Sequence, residues 1–365
     1  MDHTEVFVQQ PQQESQQEPQ QDVRERIARF SAQYAAVKRE IMKDIVGQEA
    51  VVDGVLTAII AGGNVLLEGV PGVGETRLVR SVGKSLNLLF SRIQFTPDLM
   101  PADVTGANII EKDENGRNVQ RFVGGPIFAN IVLADEINRA TPKTQSALLE
   151  AMQEHRVTAG GRTWLLTEPF FVLATQNPIE QDGTYTLPEA QTDRFLFKLL
   201  MTFPSPEELK NIVLLTQDTQ EERAQPVLNG EDLLAMRQTA KTVPAIDEVL
   251  LYAVRLVTAT HPENADAPET TRSELRFGAS PRAVQALVTA SKIRALTEGR
   301  YNISYDDVNA LACPVLRHRV KLTYDAVMRR RTPDEVILDL IDELNGKKTT
   351  VKKSGGGDGK FFRRG

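Results

Sequence analysis

Residues 64–76 read NVLLEGVPGVGET, and this stretch decides the fold. Its first part, Asn64–Glu68, is a short apolar run of the kind that forms a buried parallel strand. A glycine-rich loop, Gly69–Gly74, comes next, and the amphipathic stretch Thr76–Leu86 predicts a helix. A strand, a glycine-rich loop and a helix in this order are typical of a phosphate-binding loop, because backbone amides and the helix N-terminus point positive dipoles at an anion.

The loop matches the motif G-x-x-x-x-G-K-[ST] at every fixed position except that of the lysine. The residues, in order, are Gly69, Val70, Pro71, Gly72, Val73, Gly74, Glu75 and Thr76. Thr76 stands where a hydroxyl would hold Mg²⁺, and Glu75 replaces the lysine that attracts the β- and γ-phosphates of ATP. At an effective dielectric constant of about 20, one charge pair about 4 Å apart contributes about 4 kcal/mol. The reversed charge at Glu75 therefore opposes nucleotide binding.

Three explanations of Glu75 are open. The change is an introduced one in an otherwise active ATPase, or it is natural and marks a degenerate ATPase. In the third explanation another cation compensates, and the candidates are Arg77, Arg80 and Lys84. The third is disfavoured, because residues further along a helix point away from the loop that precedes it.

Two further apolar runs end in acidic or polar residues. Ile131–Ala134 is followed by Asp135 and Glu136, and Phe171–Thr175 is followed after one residue by Asn177. In a nucleotide site, Asp135 would ligate the Mg²⁺ shell, Glu136 would polarise the attacking water, and Asn177 would hydrogen-bond that water or the γ-phosphate. A strand end with solvated acids and a turn that begins at Asn-Pro are the alternatives for these segments.

Two arginines are candidates for contact with a phosphate. Arg194 lies in the segment QTDRF (191–195), from which it could reach the nucleotide of a neighbouring subunit as an arginine finger. Arg282 follows Ser280 and Pro281, a candidate helix cap and a first-turn proline. Arg282 would then lean over the γ-phosphate from a second domain. For either arginine, a surface ion pair is the alternative.

The pattern along the chain predicts two domains between two tails. Residues 1–22 hold eight glutamines and predict a disordered tail, with a partner-binding arm as the alternative. Residues 23–203 alternate strands with helices, which predicts an α/β core with a parallel sheet flanked by helices. Residues 204–345 read mainly as helices and predict an all-α second domain. Residues 346–365 predict a flexible basic tail, either solubilising or in weak contact with an acidic partner.

Composition excludes several classes of protein. The 365 residues are 41% apolar and 25% charged, which is ordinary for a globular protein. The net charge of -6 argues against a nucleic-acid partner, and the single cysteine, Cys313, excludes an intramolecular disulfide and a Cys-rich zinc site. No apolar run approaches the roughly 18–20 residues of a membrane helix, and no export signal opens the chain. We therefore expect no membrane insertion and a cytoplasmic location.

Two segments predict β-hairpins. Asp113–Arg117 contains an Asn-Gly pair and lies between the runs 107–110 and 119–123. Arg156–Trp164 contains a Gly-Gly pair and predicts the second hairpin. Insertions that face a pore or a partner and ordinary surface hairpins are both open interpretations.

Longer strings resemble the MoxR branch of the AAA+ ATPases. They are the phosphate loop, VLADEINRA (132–140), the run Pro142–Glu154, ATQNPIEQDGTYTLPEAQTDRF (174–195) and GASPRA (278–283). The resemblance covers about residues 25–343 and is carried mainly by the long central strings. It implies an AAA+ nucleotide-binding α/β domain followed by a helical lid.

The resemblance also implies roles for particular residues. Asp135 and Glu136 resemble the Walker B acids, Asn177 resembles sensor 1, Arg282 resembles sensor 2, and Arg194 is the candidate finger. A further segment, Val46, Gly47 and Gln48, resembles the one that lies against the nucleotide base, and Arg77 falls beside the phosphates. ATP and Mg²⁺ are the implied cofactors.

The implied activity is ATP-driven, chaperone-like remodelling or maturation of partner complexes. The implied assembly is a homo-oligomeric ring, usually a hexamer, with ATP at subunit boundaries. Proteins with von Willebrand factor A domains are the implied partners. Glu75 departs from the family pattern, so a nucleotide-independent scaffold that keeps the ring surfaces is the alternative function.

Overall fold

The computed structural model describes residues 20–70, 72–177, 184–217 and 223–346. Pro71 of the phosphate loop and almost all of both predicted tails lie outside the described residues, so the tail predictions stay predictions.

Helices and strands alternate in the first half of the described chain, and helices dominate the second half. The helices are α1 (Gln20–Ile41), α2 (Glu49–Ala61), α3 (Glu75–Ser85), α4 (Pro101–Thr105), α5 (Pro142–Glu154), α6 (Glu189–Thr192), α7 (Pro206–Thr216), α8 (Gly230–Thr242), α9 (Asp247–Thr258), α10 (Glu269–Glu274), α11 (Arg282–Thr297), α12 (Tyr305–Leu316), α13 (Tyr324–Met328) and α14 (Pro333–Leu344). The strands are β1 (Val65–Gly69), β2 (Phe90–Gln94), β3 (Gly106–Lys112), β4 (Asn118–Gly124), β5 (Ile131–Asp135), β6 (Arg156–Ala159), β7 (Arg162–Leu165), β8 (Phe171–Gln176), β9 (Phe197–Met201), β10 (Leu275–Phe277) and β11 (Lys321–Leu322).

The centre of the fold is a five-stranded sheet in the order β2-β5-β8-β1-β9. All its pairings are parallel, with Val65 of β1 opposite Leu173 of β8 and Ile131 of β5 opposite Phe171 of β8. The three central strands are apolar almost throughout, as expected for strands covered on both faces. The predicted α/β class is confirmed, and the carboxyl ends of β1, β5 and β8 meet at one edge.

Side chains on the two faces of the sheet enter two different cores. On β8, Phe171 and Leu173 join the first core, while Val172 and Ala174 join the second. This alternation follows from the two-residue period of a strand. The first core also contains apolar residues of α1, α2, α3 and the C-terminal helices. The second contains those of α5, such as Leu148.

Helix α1 joins the two halves of the described chain. It begins at Gln20, inside the range 1–22 that the sequence assigned to the tail. Its Ser31 hydroxyl donates to the carbonyl oxygen of Thr297 at the end of α11, and its Lys38 ammonium lies 2.8 Å from Asp53 of α2. Because the first core runs across both halves, the boundary predicted at residues 203–204 is not marked by a gap in packing and stays a prediction.

The C-terminal half is helical as predicted, with one addition. Strands β10 and β11 form a short antiparallel pair, in which Leu275 lies opposite Leu322. Several of its helices begin at side-chain caps, since Ser304 accepts from the backbone of Asp307 and Thr332 accepts from that of Glu335. No helix in the described part of the chain has both the length and the apolar composition needed to cross a membrane.

Both predicted hairpins are present. Strands β3 and β4 pair around a turn in which Gly116 has a φ of 75°, and β6 and β7 pair around Gly160 and Gly161 with φ of 60° and 76°. The hairpins also pack on each other, because the Phe122 ring stacks on the Trp164 ring at a centroid distance of 4.5 Å. They therefore form one unit.

Asp193 connects the sheet to the C-terminal helices. Its carboxylate accepts hydrogen bonds from Arg319 Nε at 3.0 Å, Arg282 Nη1 at 3.0 Å and Ser280 Oγ at 2.7 Å. Burial opposes ionisation of Asp193, but hydrogen bonds from Ser280 and Arg282 and the charge of Arg319 hold its pKa below the usual value. The side chain of Arg319 is only 2% exposed and also donates to the carbonyl oxygen of Phe195.

We expect Arg319→Met to destabilise the protein by about 3 kcal/mol, because it removes the buried partner of the half-buried Asp193 carboxylate and leaves only Ser280 and Arg282 to hold it. The measurement is the free energy of unfolding from urea denaturation. The same substitution at Arg156, whose pair with Glu154 is about half exposed on both sides, is the matched control and should change stability by less than about 0.5 kcal/mol. Equal effects at the two positions would contradict a structural role for the Asp193 connection.

Candidate functional site

The carboxyl edge of the sheet carries a pocket of about 560 Å³. It lies where β1, β2, β5 and β8 end and where α3 begins. The sequence-predicted residues that line it are Gly69, Gly72, Gly74, Glu75, Thr76, Arg77, Asp135, Glu136 and Asn177. The structure therefore brings the loop, the acidic pair and the polar residue after β8 to one place, as their positions after adjacent parallel strands require.

The loop forms an open cradle at the start of α3. Gly72 and Gly74 have φ of 87° and 103°, a region that side chains rarely adopt. A Cβ atom built on either glycine would meet no atom of the described residues within 4 Å, so backbone conformation and not space requires glycine there. Val73 packs against the first core and anchors the loop. The cradle is wide enough for a group to approach the backbone closely.

Glu75 is the first residue of α3 and lines the pocket. Burial raises the pKa of its carboxyl group, and the charges of Asp135 and Glu136 raise it further. Hydrogen bonds from the backbone of Glu75 and Gly74 partly offset this rise. The described lining of the pocket thus holds three carboxyl groups, and their negative charge disfavours binding of a further anion.

The carboxylate of Asp135 is held from both sides. On one side Arg92 of β2 contacts Oδ2 through Nη2 at 2.5 Å and Nε at 3.1 Å. On the other side the Thr175 hydroxyl donates to Oδ1 at 2.7 Å. Two oriented oxygens at the end of a strand are suited to a hard cation such as Mg²⁺.

Glu136 is held just as closely. Its backbone amide donates to Thr175 Oγ1 at 2.8 Å, and its carboxylate accepts from Gln94 Nε2 at 2.8 Å. Arg139 Nε lies 3.3 Å from the same carboxylate. Glu136 has a φ of 55°, and strained backbone of this kind in a non-glycine residue is concentrated at functional sites.

Sequence reasoning missed three residues that orient the acidic pair. Arg92 and Gln94 are two residues apart on β2, so their side chains leave the same face of the strand, and Gln94 lies opposite Asp135 in the parallel register. Thr175 is the last residue of the predicted third strand. The available signal was the pair Arg92 and Gln94, two positions apart in FSRIQ (90–94), but that segment carries no continuous apolar run.

The cations proposed to compensate for Glu75 are placed differently from Arg92. Arg77 lines the pocket, but its Nη2 lies 3.9 Å from the fully buried carboxylate of Asp44. Arg80 is exposed on α3, and neither Arg80 nor Lys84 is among the described residues that line the pocket. Arg92 instead lines the pocket and forms an ion pair with Asp135.

The other predicted site residues lie outside the pocket lining as far as the structure describes it. Arg282 donates to Asp193, and Arg194 Nη1 donates to the carbonyl oxygen of Leu149 at 3.4 Å. The predicted base-contacting segment also makes its own contacts, since Gln48 donates to the carbonyl oxygen of Thr202 at 2.7 Å. Val46 and Gly47 precede Gln48 in the same connection between α1 and α2. The roles predicted for these residues stay predictions.

The donor set fits a magnesium nucleotide in part. Thr76 and Asp135 present a hydroxyl and a carboxylate to one pocket, and Mg²⁺ commonly takes only one or two protein ligands beside phosphate and water oxygens. The glycine cradle fits phosphate groups. Glu75 does not fit in the same way, because it places a carboxyl group where the motif has a cation.

Two family profiles and a solved structure match this chain. A profile of the AAA ATPases, described as the ATPase family associated with various cellular activities, matches residues 64–197, and a profile of the AAA lid domain matches residues 268–340. The crystal structure of a candidate ATPase from Cytophaga hutchinsonii is 36% identical and superimposes with a TM-score of 0.81, covering 88% of this chain and 97% of that one.

Sequence relatives agree with the structural comparison. Chaperone MoxR1 of Mycobacterium tuberculosis is 44% identical, with 82% of this chain and 78% of that protein covered. Protein MoxR of Methylorubrum extorquens is 32% identical, with 83% of this chain and 91% of that protein covered. Protein YeaC of Bacillus subtilis, which is uncharacterised, is 42% identical over 86% of this chain and 94% of its own length. The chain belongs to the MoxR family of AAA+ ATPases.

Proposed function

We propose that the chain binds and hydrolyses ATP with Mg²⁺ in the pocket at the carboxyl edge of the sheet. One observation carries the proposal: Thr76, Asp135, Glu136 and Asn177 line a single pocket with the open glycine loop. A hydroxyl, two acids and an amide beside a phosphate cradle are groups that ATPases use to bind Mg²⁺ and to activate and orient the attacking water.

Each residue has a distinct part in the proposed reaction. Thr76 and Asp135 would hold Mg²⁺, which would neutralise charge on the phosphates. Glu136 would accept a proton from the attacking water, and Asn177 would orient that water. Thr175 fixes both acids through hydrogen bonds of 2.7 and 2.8 Å, so the base is positioned before the nucleotide arrives.

We further propose that hydrolysis drives chaperone-like remodelling of partner complexes. The support is family membership and the relative named as a chaperone. A homo-oligomeric ring, usually hexameric, a partner with a von Willebrand factor A domain and a cytoplasmic location rest on the family resemblance. The two hairpins are candidates for partner contact, because the Phe122–Trp164 stack joins them into one unit that could move together.

The proposed arginine roles require rearrangement. Arg282 would have to leave Asp193 to reach a phosphate, and its side chain is 53% exposed, so the exchange is sterically open. Arg194 is half-buried, and its guanidinium contacts the Leu149 carbonyl oxygen. Its action as a finger on a neighbouring subunit would need that contact to break.

A nucleotide-independent scaffold is the second candidate function. The observation that favours it is the negative pocket, where Glu75 adds a third carboxyl group beside Asp135 and Glu136. Such a subunit would keep the fold and its assembly surfaces without using ATP.

We expect Glu75→Lys to strengthen Mg-ATP binding by more than about tenfold, because it replaces a repulsive charge beside the phosphates with an attractive one. Calorimetric titration of both proteins measures the effect. Glu114→Lys, the same change of charge at an exposed hairpin turn, is the matched control and should leave affinity unchanged. If Glu75→Lys still binds no nucleotide and assembly is indifferent to ATP, the scaffold replaces the ATPase as the proposed function.

We expect Glu136→Gln, introduced into the Glu75→Lys protein, to lower the rate of ATP hydrolysis by about 100-fold or more while nucleotide affinity stays within about threefold. The amide keeps the size of the side chain but cannot accept the proton of the water. Phosphate release and calorimetry on the same samples separate the two effects. An unchanged hydrolysis rate would exclude Glu136 as the general base.

A further inference from the structure

We propose that Arg92 supplies the positive charge that the phosphate loop lacks, and that Asp135 holds this arginine in place until nucleotide binds. The proposal rests on the proposed nucleotide site. It assigns a phosphate-contacting role to a residue of β2, outside the loop motif and outside the helix that follows the loop.

Arg92 has the position that this role needs. It lines the same pocket as Gly72 and Gly74, and its side chain is 45% exposed. Nε and Nη2 both donate to one oxygen of Asp135, and Nη2 also donates to Gln94 Oε1 at 2.9 Å. Within the described residues Nη1 makes no hydrogen bond, so part of the guanidinium is available to a ligand.

The charge balance of the pocket also favours Arg92. Two of the described residues lining the pocket, Arg77 and Arg92, carry positive charge against three carboxyl groups. Nη2 of Arg77 lies 3.9 Å from the carboxylate of Asp44, which is fully buried. Of these two arginines, Arg92 forms an ion pair with Asp135, one of the acids that would flank the phosphates.

The chemistry of the guanidinium permits an exchange of partners. Its planar fork matches carboxylate and phosphate oxygens equally well, whereas an ammonium group acts as a point charge. Asp135 is also the predicted Mg²⁺ ligand, and a metal bound by its carboxylate would compete with the two hydrogen bonds from Arg92. Binding of a magnesium nucleotide would thus release Arg92 beside the arriving phosphates.

The test is calorimetric titration of Mg-ADP and Mg-ATP into proteins with and without the substitution Arg92→Gln. This pair is compared in three backgrounds: the unchanged chain with Glu75, Glu75→Gln and Glu75→Lys. With Glu75 or with Gln at position 75, loss of Arg92 should weaken binding by about tenfold or more, since no loop cation replaces it. With Lys at position 75 the loss should be under about threefold. Arg92→Lys should recover part of the affinity in the Glu75→Gln background.

Arg80→Gln is the matched control, because it removes an exposed arginine of α3 outside the pocket lining and should leave affinity unchanged. The proposal would be overturned if Arg92→Gln lowered nucleotide affinity equally in the Glu75→Gln and Glu75→Lys backgrounds. Arg92 would then be only a positioning residue for Asp135. A loss from Arg80→Gln as large as that from Arg92→Gln would also overturn it. If the Glu75→Lys protein itself binds no nucleotide, the proposed function fails, and the role of Arg92 fails with it.

Discussion

The parallel register of β5, β8 and β1 is the constraint on which the site depends. Ala134 lies opposite Ala174, and Leu67 lies opposite Thr175, so the chain leaves all three strands at the same edge. The phosphate loop, the acidic pair and Asn177 are simply the residues that follow. None of them is near another in the sequence. Their convergence is a property of strand pairing, which the buried apolar side chains of both cores stabilise.

Asp135 and Glu136 are oriented independently of the loop. Arg92, Gln94 and Thr175 come from the strands on either side of β5 and hold both carboxylates by hydrogen bonds of 2.5 to 2.8 Å. A substitution in the loop therefore changes the charge that a phosphate would meet without loosening the acids. This separation explains how a glutamate at the lysine position coexists with an ordered acidic pair in the same pocket.

The sequence predicts an element correctly where a local pattern of apolar residues determines whether a helix or a strand forms. The apolar runs predicted β1, β5 and β8, and the amphipathic stretch Thr76–Leu86 predicted α3, to within one residue at each end. Sequence reasoning failed for β2, where only Ile93 is buried, because a strand at the edge of the sheet has no continuous apolar pattern. Arg92 and Gln94 were lost with that strand. The partner of Arg282 was also beyond sequence reasoning, since Asp193 is 89 residues away and only tertiary packing brings them together.

The three donors on Asp193 are unequal, and the inequality bears on how a lid could respond to nucleotide. Arg319 is 2% exposed and also donates hydrogen bonds to backbone carbonyl oxygens. Breaking its pair with Asp193 would leave a buried charge without its partner, at a cost of several kcal/mol. Arg282 is 53% exposed, and a solvated ion pair of this kind contributes about 1 kcal/mol or less. A phosphate could therefore compete for Arg282 while Arg319 keeps the lid attached. Asp193 would then keep its bond to Arg319 in both states, while Arg282 would exchange between Asp193 and a phosphate.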